Sequence, residues 1–195
     1  MNKLEGLYEL KNLKIPSIDW QIYNHDTILD NNRLWTIRSA VYKGLDLNLP
    51  RLFGKDAHTS KLFADKLLNQ IKDKGIVIYY PYLIAEKSGI LQFMKDRTIV
   101  EVVEGDLGNL LNGSKVDVTY IWNAEAKEIT GDKDFLSSSD QICLLSYVDY
   151  LKRRYSEYML LGYEIQLEFS FAFDCSSNGD KVGNRKLVFF EIRTL

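Results

Sequence analysis

The stretch that most constrains this 195-residue chain lies near its end. Two β-rich runs, EIQLEFSFAFD and KLVFFEIRTL, are joined by the polar, Gly-containing segment CSSNGDKVGNR. Aromatic and β-branched residues alternating with polar ones suit strands with one packed face. A polar connection of this kind predicts an antiparallel hairpin. In the first strand Leu167, Phe169, Phe171 and Phe173 share one face, and Gln166, Glu168, Ser170 and Asp174 share the other. In the second, strict alternation sets Val188, Phe190 and Ile192 against Glu191 and Arg193. Pairing that brings Glu168 beside Glu191 would place two carboxylates roughly 4 Å apart, repelling by about 4 kcal/mol at an effective dielectric of about 20. A positive charge is then needed between them, from Arg193 or from Mg²⁺, which takes one or two carboxylates together with phosphate oxygens. A solvated strand face with an ordinary Glu–Arg pair is the plainer reading.

The rest of the chain alternates helix and strand signals. Leu4, Leu7, Leu10 and Leu13 recur at helical spacing before Ile15-Pro16, where proline blocks continuation. Trp35 to Val41 reads as a strand with Ile37 and Ser39 on one side and Arg38 on the other, and Gly44 to Gly54 reads as turn. From Ser60 a helical stripe of Leu62, Phe63, Leu67, Leu68 and Ile71 runs to Gly75, placed as its C-cap. A central strand follows up to Pro81, then strands over Gly89–Phe93, Thr98–Val103 and Val116–Asn123. Ser137, Ser138, Ser139 and Asp140 are N-cap candidates for one long helix ending at Gly162. Its tyrosines, Tyr147, Tyr150, Tyr155 and Tyr158, are spaced to pack on a sheet.

Composition excludes several classes. A formal net charge of -2 gives no field suited to gathering nucleic acid. No apolar run approaches the roughly 20 residues that cross a bilayer, and the first residues lack the apolar core of a secretory signal, so no membrane partner and a cytoplasmic location are expected. Cys143 and Cys175 show no metal-binding spacing. Surface roles are expected for His25 and His58, with His58 the one that could lie near a ligand's phosphates.

Five segments, in order, resemble the nucleotide-binding domain of the pyruvate phosphate dikinase and phosphoenolpyruvate synthase family. Lys3 with Leu7, Leu10 and Ile15-Pro16 resembles the family's opening lysine motif, and Ile37-Arg38-Ser39-Ala40 resembles its "VRSSA". Tyr80 to Ile90 (YPYLIAEKSGI) follows the spacing of "QxMVxAxxSGV". Ile99 to Asn109 resembles "IEAxxGLGE", with Asn112-Gly113 and Val116-Asp117 after it. Glu168 in LEFS and the run Glu191-Ile192-Arg193-Thr194 stand where the family has its "DIEW" and "QxRP" strands. Departures are Met1-Asn2 in place of two glycines, Glu191 in place of Gln, Asn109 in place of an acidic residue, and a shorter stretch between Ala40 and Gly75.

The resemblance implies an α/β (α+β) fold of ATP-grasp type: a single domain over 1–195, lobe one to about 75 and lobe two from about 76, with mainly antiparallel sheets around a nucleotide cleft. It implies ATP and Mg²⁺ as cofactors. Lys3, Arg38, Tyr80, Tyr82, Leu83 and Glu101 would bind the nucleotide, Glu168 and Glu191 the metal, and Arg38 and Arg193 would act in catalysis. The implied activity is that of an ATP-dependent phosphotransferase (kinase-like) or ligase-like domain. Its acceptor would come from a small molecule or from a separate protein carrying a phosphohistidine or substrate domain. The departures support an alternative, a non-catalytic nucleotide-binding or interaction subunit that keeps the fold.

Overall fold

A computed structural model describes residues 1–43, 49–108, 116–123 and 125–195. Gly44, at the start of the expected turn, and Asn109, Asn112 and Gly113 lie outside the described residues. The fold is mixed α+β with two antiparallel sheets, as expected.

The smaller sheet has four strands: β1 (Gln21–Ile22), β2 (Trp35–Val41), β3 (Arg51–Lys55) and β4 (Gly75–Pro81), in the order β1-β4-β2-β3. Helix α1 (Lys3–Asn12) precedes it, and α2 (Ala57–Ile71) packs on its outer face, where Ile37 and Val77 meet Ala64 and Leu67. Sequence reading misses β3, a short strand hidden in the presumed turn. Helix α2 also starts earlier than expected, at the Asp56 cap, and buries Ala57, Ser60, Ala64, Leu67 and Ile71, while Leu62 faces solvent. Gly75 is not a left-handed cap: its φ is -178° and it opens β4. Its missing side chain serves packing, because a Cβ there would lie 2.2 Å from the Ala40 carbonyl oxygen.

The larger sheet has six strands: β5 (Leu83–Phe93), β6 (Arg97–Glu104), β7 (Val118–Asn123), β8 (Lys127–Gly131), β9 (Ile165–Cys175) and β10 (Lys181–Thr194), in the order β10-β9-β5-β6-β7-β8. Strand β8 escapes sequence reading because all five of its residues are exposed, leaving no alternation to detect. The expected long helix is three short ones, α3 (Ser138–Leu145), α4 (Val148–Arg154) and α5 (Ser156–Leu160). Leu144, Val148, Leu151 and Tyr155 cover the outer face of the large sheet, closing the main core with Leu167, Phe169 and Phe189. Tyr82 alone separates β4 from β5, so the chain passes from one sheet to the other after Pro81.

Strand β10 departs from strict alternation. Phe189 pairs with Phe169 and Glu191 with Glu168, so Phe190 is an extra residue in a β-bulge. Leu187, Phe189 and Ile192 therefore join the main core, whereas Val188, Phe190, Glu191 and Arg193 face the other way. The expected grouping of Phe190 with Ile192 is corrected on this point. The segment after α1 secures the bulge: Phe189 N–H donates to Pro16 O (2.8 Å) and Ile18 N–H to Phe189 O (2.9 Å).

Helix α1 lies between the sheets. Asn2 and Glu5 form a capping box at its start. Leu4 and Leu7 pack with Ala40, Ile76 and Ile78 of the small sheet and Val188 of the large one. Gly6 permits the close crossing with β10, since a Cβ at Gly6 would sit 2.0 Å from the Ile192 carbonyl oxygen. Gly6→Ala gains about 1 kcal/mol in helix propensity, but relieving that overlap against backbone costs about 1–3 kcal/mol and displaces the helix. A net loss of stability is expected, read as a lower thermal midpoint in a calorimetric scan; an unchanged or higher midpoint would show that α1 does not bear on β10 in this way.

Candidate functional site

The bulge directs Glu191 to a place that a regular strand would not give it. Its side chain is sealed from solvent and is surrounded by cations from three elements. Arg38 of β2 donates from Nη2 to Oε2 at 3.0 Å, Lys3 of α1 stands 3.6 Å from the same oxygen, and Arg193 of β10 bonds Oε1 through Nε. Glu168 is the direct cross-strand neighbour of Glu191. The pairing that the sequence allows is the one observed, and the positive charge between the carboxylates comes from side chains.

Lys3, Arg38, Glu168, Glu191 and Arg193 thus converge. On one side of them a cavity of about 250 Å³ opens between the sheets. Its walls include Arg38, Tyr80, Tyr82, Leu83 and Glu168 from the predicted set. Arg51, Phe53 and Phe190 are further wall residues that sequence reading misses. Arg51 sits opposite Arg38 in the β2–β3 register, and its guanidinium lies 5.6 Å from the Phe53 ring centroid. The signal for Arg51 was the strand β3 itself. Strict alternation puts Phe190 on the wrong face because a period-two pattern carries no sign of a bulge. Glu101 is not at the cavity wall: it pairs with Ile90, which pairs with Glu168, so it stands two strands away in the same row, at roughly 10 Å by strand spacing. His58 is exposed and lines a separate hollow with His25, whose Nδ1 lies 3.0 Å from Asp65.

Burial sets the electrostatics. Glu168 has its pKa raised, first by loss of hydration and then by Glu191, which outweigh Arg38, Lys3 and Arg193. Lys3 is lowered by burial and by Arg38, against Glu191. For Arg38 burial opposes the charge, but Tyr80, Glu191 and Glu168 hold it firmly protonated. Its buried Nε–H meets no partner of good hydrogen-bond geometry among the described residues, although Tyr80 acts on the same guanidinium as a hydrogen-bonding neighbour.

The cofactors implied by the sequence resemblance can be matched to this geometry. Glu191 does not fit the role of a metal ligand: both oxygens are engaged by cations, and freeing one would break a buried ion pair at a cost of about 3–5 kcal/mol. Among the described residues no group of three or more His, Cys, Asp or Glu converges for a metal ion. A nucleotide fits better. The walls combine aromatic rings, which can hold a planar base, with two guanidiniums.

No family model and no curated protein matches the chain significantly. Among solved structures it is similar to the macrocyclase MdnC of Microcystis aeruginosa MRC, crystallised with the precursor peptide MdnA, at 8% identity and a TM-score of 0.45. The match covers 97% of this chain and 51% of that one, so the chain spans about half the length of that protein. No helix among the described residues is long and apolar enough to cross a membrane.

Removing either carboxylate has opposite effects. Glu191→Ala leaves buried cations without their counterion and is expected to destabilise the fold by about 3–5 kcal/mol in urea unfolding. Glu168→Gln removes a carboxylate whose folded pKa lies above its ordinary 4.5. For such a group the folded state retains the proton longer, so stability is fullest below pH 4.5 and falls as pH rises through the folded pKa. Glu168→Gln is therefore expected to be more stable than the wild type at neutral pH, with the difference vanishing toward acid. Urea melts across this range giving a constant offset, or a less stable variant, would contradict that.

Proposed function

We propose that the cleft between the sheets binds a nucleotide, ATP in the first place, in the manner of an ATP-grasp-like domain. The observation that carries this reading is the mixed wall of the cavity, where Phe53, Tyr82 and Phe190 stand beside Arg38 and Arg51. The rings and Leu83 would hold the base, and the guanidiniums would meet the phosphates, for which Arg is geometrically suited. Lys3 and Arg193 act from behind, keeping Glu191 matched so that Arg38 stays in place.

In its finer form the reading is an ATP-dependent phosphotransferase or ligase-like domain of the cytoplasm. Bound ATP would supply the phosphoryl group, and the protein's part is positioning and charge neutralisation. The acceptor would be a small molecule or a separate protein. A phosphohistidine would belong to that partner, since His25 and His58 lie at another hollow. A second reading, a non-catalytic nucleotide-binding or interaction subunit, is favoured by one observation: the sealed and fully paired Glu191 leaves the expected two-carboxylate metal site without one of its ligands.

Titration calorimetry with ATP tests the binding, and the expected result is a saturable heat that Phe190→Ala weakens by about 1–3 kcal/mol through lost base stacking. No heat with the wild type would end the nucleotide reading. A phosphate-release assay with candidate acceptors separates the two forms: turnover supports the transferase, and binding without turnover supports the subunit.

A further inference from the structure

We propose that this cleft engages the phosphates of its nucleotide without a protein-held divalent cation, with Arg51 taking the place that a metal would fill. The inference rests on the nucleotide reading above and goes beyond it by naming which protein charge meets the ligand. A metal bridge to a triphosphate needs carboxylate oxygens that face the phosphates. Glu191 offers none, because Arg38 and Lys3 occupy one oxygen and Arg193 the other, and the side chain has no exposed surface. Glu168 reaches the cavity wall but stands directly beside Glu191, so its charge is shared with the same three cations. Positive charge at the cavity therefore comes from the protein.

Arg51 is where that charge is available. It lines the cavity, it is exposed on edge strand β3, and it has no acidic partner among the described residues. It faces Arg38 across the β2–β3 pair, and whereas Arg38 is matched by Glu191, Arg51 keeps its charge for an entering anion. Asp106 also lines the cavity, but it is exposed, and the other acidic wall residue, Glu168, is drawn to the three cations beside Glu191, so the described wall offers no pair of free carboxylates to a divalent ion.

The test is calorimetry of ATP binding with the full chain in two buffers, one with excess Mg²⁺ and one with EDTA, on wild type, Arg51→Ala and Arg51→Lys. Affinity is expected to agree within about threefold between buffers. Arg51→Ala is expected to lose about tenfold or more in both, as the loss of one charge-assisted contact implies, and Arg51→Lys to recover part of it. Because Arg51 is an exposed edge residue, an unchanged thermal midpoint is expected for both variants. Binding that requires Mg²⁺, or that is indifferent to Arg51→Ala, overturns the inference while leaving the nucleotide reading standing. Absence of binding in both buffers overturns that reading and the inference with it.

Discussion

One buried carboxylate organises this protein. Glu191 accepts from Arg38 on one sheet and Arg193 on the other, and lies beside Lys3 at the head of the helix between them. A lone ionised carboxylate at that depth is strongly unfavourable, so the three cations are a condition of its burial. Each cation is on a different element, and the requirement to gather them fixes how α1, β2 and β10 meet. The cavity follows from the same geometry: Arg38 and Glu168 belong to the charged cluster on one side and to the cavity wall on the other.

Around that centre the packing is layered. Helix α2 covers one face of the small sheet, α3 and α4 one face of the large sheet, and α1 fills part of the space between. The remaining space is the cleft. Its walls are apolar where Phe53, Leu83 and Phe190 stand and positive where Arg38 and Arg51 stand, a division that suits a ligand with a flat apolar end and an anionic one. Tyr82 is the single residue between β4 and β5 and also lines the cleft. Any change in the angle between the sheets would thus move a wall of the cavity.

Much of this was legible in the sequence, and the failures have physical causes. Strands β2 and β4, helix α1 and the terminal hairpin are long and strongly patterned, so their residues declared themselves. Treating two alternating runs as a hairpin allows the juxtaposition of Glu168 with Glu191 without fixing the register, and the observed register has it. Lys3 and Arg38 came from the family resemblance, and their convergence on Glu191 is a matter of tertiary structure that no local pattern carries. What escaped was local in another sense: β3 is short, β8 is exposed throughout, and Phe190 sits at an irregularity. Arg51 was missed with its strand, since an arginine in a presumed turn has no assigned direction.

That irregularity has a consequence for how the last strand is built. Upstream of Phe190 the odd-numbered residues Leu187 and Phe189 point inward, and downstream the even-numbered Ile192 does. The strand thus carries two phases of one alternating code, joined at a single inserted residue. Each phase alone would make an unremarkable amphipathic ribbon, and only the splice places an acidic group in the interior with an aromatic ring beside it on the same face. A chain shortened by that one residue would run in a single phase, with Glu191 still opposite Glu168 and Ile192 still inside, and would lose only the ring that the inserted residue adds to the cavity wall.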